Sequence, residues 1–359
     1  MVRELRRKIY RKIRFKNWYR KAYYYQRKKD KIDDIIKEFK SPEELLDRRY
    51  YKSLKRDMIK SLFKYGSYFN EYFYFGFEGR DDEYRKGFIT EGIRLSFYPR
   101  MNDPKNTDML ENKYRTFKKF QEMFKRDVVC VRKKDEFTPE AIDELTEFTE
   151  KHPHYVVKPI YAAFGKGVHF EDIQDYSTVE DAWNAYHENG AIIEEPIIQA
   201  EGMSCIHPQS VNTLRIPTAV IKGENGEPEV CLFNPSLRVG MGESIVDNFS
   251  AGGISALIDP ESGKIYTDGA DKKGHNYEVH PDTGVKFKGF QIPDWEQAVY
   301  MVKKAALMVP GNHYCGWDLA YSVNGWCMVE ANCTAQMGGM QLVTKTGRRK
   351  ELEALISKM

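Results

Sequence analysis

Two alternating apolar runs folded on an Asn-Gly dipeptide, in GWDLAYSVNGWCMVEAN from Gly316 to Asn332, constrain this chain more than any other feature. Asn-Gly between such runs is the strongest short-range signal for an antiparallel hairpin. Side chains two apart on a strand share a face, so Glu330 and Asn332 point the same way, and the turn at Asn324-Gly325 brings Asp318 back beside them. Three oxygen donors then converge. Two carboxylates and an amide suit Mg²⁺, which is commonly held by one or two carboxylates together with substrate phosphates. An ordinary hairpin with solvated acids reads the same way, so the upstream segments must separate the two readings.

The first of these is YVVKPIYAAFGKGVHF, Tyr155 to Phe170. An apolar strand ends in Lys158-Pro159, a small-residue loop carries Gly165, Lys166 and Gly167, and a second β-prone run follows. A glycine turn between strands lets backbone N–H groups approach phosphate oxygens, and a strand-end lysine adds a point charge. The pattern lacks the GKS or GKT opening a helix that a P-loop requires. Next comes AIIEEPIIQAEG, Ala191 to Gly202, a strand running into an acidic, proline-containing hinge.

Taken with Asn212-Thr213-Leu214-Arg215, Arg238 and VDNFSAGGI from Val246 to Ile254, this order resembles the sugar-transfer branch of the ATP-grasp superfamily, from roughly Tyr65 to Lys345. The resemblance implies an α+β fold in which ATP lies between a glycine-loop lid and a metal-binding antiparallel C-terminal sheet. It divides the chain into a basic helical extension (1–60), an N-terminal substrate-side unit (61–150), the lid (151–198) and the C-terminal domain (199–359). It implies phosphate contacts from Lys113, Lys158 and the Gly165, Lys166, Gly167 loop, with Lys158 an unshared charge. Adenine contacts fall on the Glu194, Glu195, Ile197 hinge and a ribose contact on Gln199 or Glu201. Mg²⁺, with Mn²⁺ as the alternative ion, falls on Asp318, Glu330 and Asn332. Arg215 and Arg238 would face the γ-phosphate and an acyl substrate, with Asn248, Gly252 and Gly253 forming a substrate-side loop. For Arg238 the competing reading is a plain pair with Glu243.

The implied activity is an ADP-forming carboxylate–amine ligase working through an acyl phosphate. It would join an amino acid or similar acid to an amine on a sugar, a lipid-linked glycan precursor or a peptide, in cell-surface polysaccharide biosynthesis. A kinase-like phosphotransferase and a catalytically inactive nucleotide-binding protein are the alternatives.

Composition fits a soluble globular chain: 41% hydrophobic residues are enough for a core, and 30% charged residues are ordinary. No apolar run reaches the roughly 18 residues a spanning helix needs, and the first residues lack the apolar centre of a secretory signal. The expected location is therefore cytoplasmic. Six cysteines show neither C-x-x-C nor zinc spacing and read as reduced thiols. His275 and His280 read as loop residues. No H-E-x-x-H or G-x-S-x-G pattern occurs, which argues against a zinc or serine hydrolase.

Charge is uneven. Residues 1–60 carry 22 Lys and Arg against nine Asp and Glu, a net +13 that leaves the remainder at −10. Leu5, Ile9 and Ile13 form a stripe among these bases, followed by Trp18, Tyr19 and Tyr23 to Tyr25. Residues 1–30 therefore read as an arm for an anionic membrane surface, placing the protein on the membrane's inner face, or as a polyanion-binding tail, or as a helix packed on the body. No specific nucleic acid is expected, because the aromatic run Tyr68 to Phe77 lacks interleaved bases and reads as core. Capping patterns predict helix starts at Ser41-Pro42-Glu43-Glu44 and at Ser177 to Glu180, and a further helix over Thr138 to Lys151.

Overall fold

The structure, a computed structural model, describes residues 17–131, 139–161, 167–187, 190–244, 247 and 252–359. Its N-terminal part is helical, with helices Asn17–Lys28, Ile32–Phe39, Arg48–Tyr65 and Phe69–Tyr74. Phe69, Tyr72, Phe75, Phe77 and Phe88 are buried with Ile36, Leu54, Met58 and Leu62. The aromatic run is thus core, as its pattern predicts. The Ser41–Glu44 box forms reciprocally, but it opens only the short turn Glu44–Leu46. The long helix starts one step later, where Asp47 accepts the N–H groups of Arg49 and Tyr50. Likewise Thr178, rather than Ser177, accepts the Asp181 N–H ahead of Val179–His187.

Part of the basic arm packs on this helical body. The Tyr24 ring stacks on Tyr68 at 3.8 Å and its hydroxyl accepts the Phe69 N–H. Trp18 and Tyr23 remain exposed. Leu5, Ile9 and Ile13 lie outside the described residues.

Two antiparallel sheets follow. The first has the order β1-β4-β2-β3, with β1 Val128–Val131, β2 His154–Pro159, β3 His169–Asp172 and β4 Ala191–Glu194. Alternation turns Tyr155 and Val157 of β2 inward, where Leu145 and Phe148 of helix Pro139–Lys151 and Trp183 and Tyr186 of helix Val179–His187 cover them. Strand β1 precedes residue 151 yet pairs along β4, so the sheet expected to form the lid over 151–198 draws one edge from the preceding segment.

The second sheet orders as β10-β9-β8-β7-β5-β11-β12, with β6 also paired to β5. Its strands are β5 Thr213–Lys222, β6 Pro228–Leu232, β7 Ser236–Val239, β8 Ile254–Leu257, β9 Gly269–Ala270, β10 Asn276–Tyr277, β11 Tyr314–Ser322 and β12 Gly325–Asn332. Leu214, Ile216, Trp317 and Met328 join a core with Ala298, Val302 and Ala305 of helix Trp295–Leu307. Period two then gives the opposite face to Thr213, Arg215 and Asp318. Among the described residues, no helix is long and apolar enough to cross a membrane.

Candidate active site

Cross-strand register assembles the charged row. Arg215 of β5, Asp318 of β11 and Glu330 of β12 stand directly opposite one another, and a register shift follows Asp318. One pleat along β5, Thr213 faces Arg238 of β7. Gly316, opposite Asn332, keeps this row open. A Cβ at Gly316 would lie 2.5 Å from the Ala335 Cβ and 3.1 Å from Arg215 Cδ. Asp318 is buried and gripped on both oxygens: the Arg215 guanidinium forks onto it, Arg238 Nη2 lies 3.1 Å away, and Asn332 donates at 3.3 Å. Burial pushes the Asp318 carboxyl up, but Arg215 and then Arg238 more than offset this and hold it below the usual range. Glu330 Oε1 stands 3.4 Å from Lys113 Nζ.

A second cluster lies at the lid hinge. Glu194 Oε2 accepts from Lys158 at 2.7 Å and from Arg126 Nε and Nη2 at 3.0 and 2.6 Å. Arg126 also donates to the backbone carbonyl of Met328, tying the lid sheet to β12. Burial alone would raise the Glu194 carboxyl, yet Arg126 and Lys158 bring it well below its usual value. Lys158 is pushed down, first by burial and against the pull of Glu194. The expected unshared charge at Lys158 is therefore corrected to a shared one, because the strand pairing of β2 with β4 sets the two side chains together.

Residues 93–356 match the family described as sugar-transfer associated ATP-grasp. The chain belongs to that family. No curated protein matches the chain in sequence. Among solved structures it is similar to D-alanyl-alanine synthetase A from Vibrio cholerae O1 biovar eltor, at 10% identity over 71% of this chain and 66% of that one, TM-score 0.43. It is also similar to the VanG D-Ala:D-Ser ligase from Enterococcus faecalis, at 13% identity over 74% and 66%, TM-score 0.40. A third is N5-carboxyaminoimidazole synthase from Aspergillus clavatus, at 10% identity over 65% and 46%, TM-score 0.38. The chain thus spans between 46% and 66% of these proteins' lengths.

In this ATP-grasp protein the hinge differs from its expected form. The Glu195 N–H donates to Asp127 O at 3.0 Å, and its side chain accepts the Asp127 N–H at 3.1 Å. Among the described residues the Glu195 C=O and the Ile197 N–H make no backbone hydrogen bond, leaving one acceptor and one donor on the hinge. Gln199 spends its amide on the fold: it accepts the Asn212 N–H at 2.6 Å and donates to Ser210 O at 3.2 Å. Glu201, first residue of Glu201–Ser204, is exposed.

Lys113 begins helix Lys113–Lys119, capped by Asn112, which accepts the Arg115 N–H at 3.0 Å. The Lys113 N–H donates to Ile160 O and Asn112 donates to the Tyr161 hydroxyl at 2.8 Å, so the lysine is held where the lid starts. Arg238 also donates twice to the Thr213 hydroxyl, at 3.1 and 2.7 Å, and its acidic partners are Asp318 and Asp247 rather than Glu243. Gly167 has φ +73° and Gly252 φ +106°. A Cβ on Gly253 would strike the Asp247 and Val239 carbonyl oxygens at 2.6 and 2.7 Å, so only glycine fits. Gly165, Lys166 and Asn248 lie outside the described residues.

Sequence reading passed over Arg126, Thr213 and Asp247. Asp247 accepts the Thr213 N–H at 3.1 Å and also its hydroxyl, 3.8 Å from Arg238 Nε. Burial raises its carboxyl, against the influence of Arg238. Its position beside Asn248 in VDNFSAGGI was the available signal. For Mg²⁺, two carboxylates and an amide lie along one sheet face and suit an oxygen-liganded ion; Glu330 is only partly covered and faces Lys113, while Asp318 would have to exchange Arg215 or Arg238 for the metal.

Proposed function

We propose that this chain is an ATP- and Mg²⁺-dependent carboxylate–amine ligase that forms an acyl phosphate and releases ADP. The observation that carries the reading is the single charged face on which Arg215, Arg238, Asp318, Glu330 and Asn332 stand together, with Lys113 reaching Glu330. ATP would enter between this face and the lid, its adenine edge meeting the Glu195 C=O and Ile197 N–H and its ribose the exposed Glu201 carboxylate. Lys158 and Lys113 would hold the phosphates as point charges. Asp318, Glu330 and Asn332 would hold Mg²⁺, which supplies charge neutralisation of the departing ADP oxygens.

Arg238 and Arg215 are suited to the rest of the chemistry. A guanidinium fork grips a carboxylate in two places and stabilises the charge that develops as it attacks the γ-phosphorus. Backbone N–H groups around Gly252-Gly253 would then bind the oxyanion formed when an amine displaces phosphate. The family's description favours a sugar-linked or glycan-precursor acceptor in surface polysaccharide synthesis, with an amino acid or similar acid as donor. The exposed Trp18 and Tyr23, on a helix rich in bases, favour contact of the arm with an anionic membrane surface.

The test incubates purified protein with Mg²⁺, ATP and pools of amino acids and amino sugars. ADP and phosphate should appear together, hydroxylamine should trap a hydroxamate, and ¹⁸O should pass from the substrate carboxylate into phosphate. AMP with pyrophosphate would overturn the ligase reading in favour of adenylation. A stable phosphorylated acceptor would replace it with a phosphotransferase.

A further inference from the structure

His207 and His280 sit outside the charged row, with side chains 2% and 0% exposed and rings 5.3 Å apart. His280 Nε2 lies 2.9 Å from the Gly240 carbonyl and His207 Nε2 lies 3.0 Å from the Gly242 carbonyl. A carbonyl only accepts, so each Nε2 carries the hydrogen. The other ring nitrogens meet donors. His207 Nδ1 faces the Ser210 N–H at 3.2 Å and its hydroxyl at 2.8 Å, and His280 Nδ1 faces the Asp282 N–H at 3.3 Å. A backbone N–H only donates, so both Nδ1 atoms must be bare and both rings neutral.

We infer that this imidazole pair is a proton-sensitive clasp that positions Gly240–Gly242, and through that segment Arg238 and Asp247, and that protonation of His280 releases it. Gly240 follows β7 directly, two residues beyond Arg238, and the Val239 and Asp247 carbonyls close together on Gly253. A proton on His280 Nδ1 would set N–H against the Asp282 N–H. Asp282 supplies the competing partner: its Oδ2 accepts the Gly242 N–H at 2.6 Å while standing 3.8 Å from His207 Nε2 and 3.9 Å from His280 Nδ1. A charged ring would draw that carboxylate off Gly242. Among the described residues, the charged or titratable groups facing the pair are Asp282 and the two rings themselves; Ser210 and the Phe287 ring, 6.1 Å from His280, are neutral neighbours.

Burial first, and then His207, hold His280 below the ordinary histidine value. The sign follows. Above about pH 6.5 the His280 ring is neutral folded and unfolded alike, and the clasp is intact. As pH falls below that value the released state binds protons first, so order is lost towards the lower folded value. The roles of Arg238 and Asp247 rest on the ligase reading, whereas the clasp does not.

Hydrogen exchange of the full chain, corrected for intrinsic rates from pH 8 to pH 5.5, tests it. Protection over residues 238–244 should fall by up to about tenfold per pH unit below about pH 6.5, while β11 stays level. His280→Gln, which cannot titrate, should flatten that slope. A flat wild-type profile, or an equal slope in the variant, would overturn the clasp. Should the variant not fold, ¹⁵N-imidazole spectra of the wild type decide: Nε2–H tautomers on both buried rings support it, and an Nδ1–H tautomer or a charged ring at pH 7 sinks it. Calorimetry with Mg²⁺-ADP at pH 7 separates the two readings, because failure of ADP to bind would remove the nucleotide site and leave the exchange result standing.

Discussion

The hinge and the C-terminal sheet each hold one buried carboxylate between two cations, and they do so to different ends. Glu194 and Arg126 are sealed, each side chain 4% exposed, with Lys158 at 13%. Asp318 is as deeply buried at 5%, but its partners Arg215 and Arg238 keep 17% and 18% of their surface. A sealed triad has no access to water if one member is lost. The two guanidiniums, though mostly buried, keep more open surface than Glu194 or Arg126, so in the second cluster both cations can meet a ligand and in the first only Lys158 can.

The largest effect separates them by stability. Glu194→Ala strands two buried cations and should cost about 3–5 kcal/mol, read as a lower urea midpoint. Because the Glu194 carboxyl is held below its unfolded value, its contribution is complete above about pH 4.3 and is lost as pH falls through the folded value. The wild type should therefore lose stability in acid more steeply than the variant. A loss under about 1 kcal/mol would show that the hinge triad does not hold the fold.

Asp318→Asn should give the opposite profile: a loss of only about 1–2 kcal/mol of stability, since both arginines reach water, with at least about a hundredfold fall in ADP formation. Retained turnover with a collapse in stability would exchange the roles of the two clusters. The smallest effect is Lys158→Ala, which leaves Glu194 paired to Arg126. ADP affinity should weaken by about 1.5 kcal/mol, a little over tenfold, by calorimetry. Unchanged affinity would detach the hinge cluster from nucleotide binding.

Local chemistry made half of this site readable. The period-two pattern places Glu330 and Asn332 on one face, but the turn falls on Val323-Asn324, with Gly325 at φ +82° as the first residue of β12, and a register shift after Asp318 sets Glu330 opposite it. Lys158 was legible as a strand-end lysine, but its pairing with Glu194 was not. What sequence could not supply is register between distant strands. Arg215 and Asp318 are paired across 103 positions, and nothing near either residue announces that the arginine forks onto a candidate metal ligand. Arg126 reads as one basic residue before a short strand, and its role appears only when β1 pairs with β4. His280 is a loop residue, as it read, but its burial was not legible, because it is packed against Gly240 far along the chain. The Ser41 box misled in the other direction: its capping bonds form, but too little apolar surface follows to extend the turn, and Asp47 starts the helix instead.

Arg126 reaches both Glu194 in the lid sheet and the Met328 carbonyl in β12. A residue so placed acts as a fulcrum. Sliding the lid bodily away from the C-terminal sheet would tear a charge out of its burial, whereas swinging it about that point leaves the contact in place. Any motion of one sheet relative to the other should therefore be a rotation whose axis passes near Arg126, with small travel at Glu194 and large travel at β3.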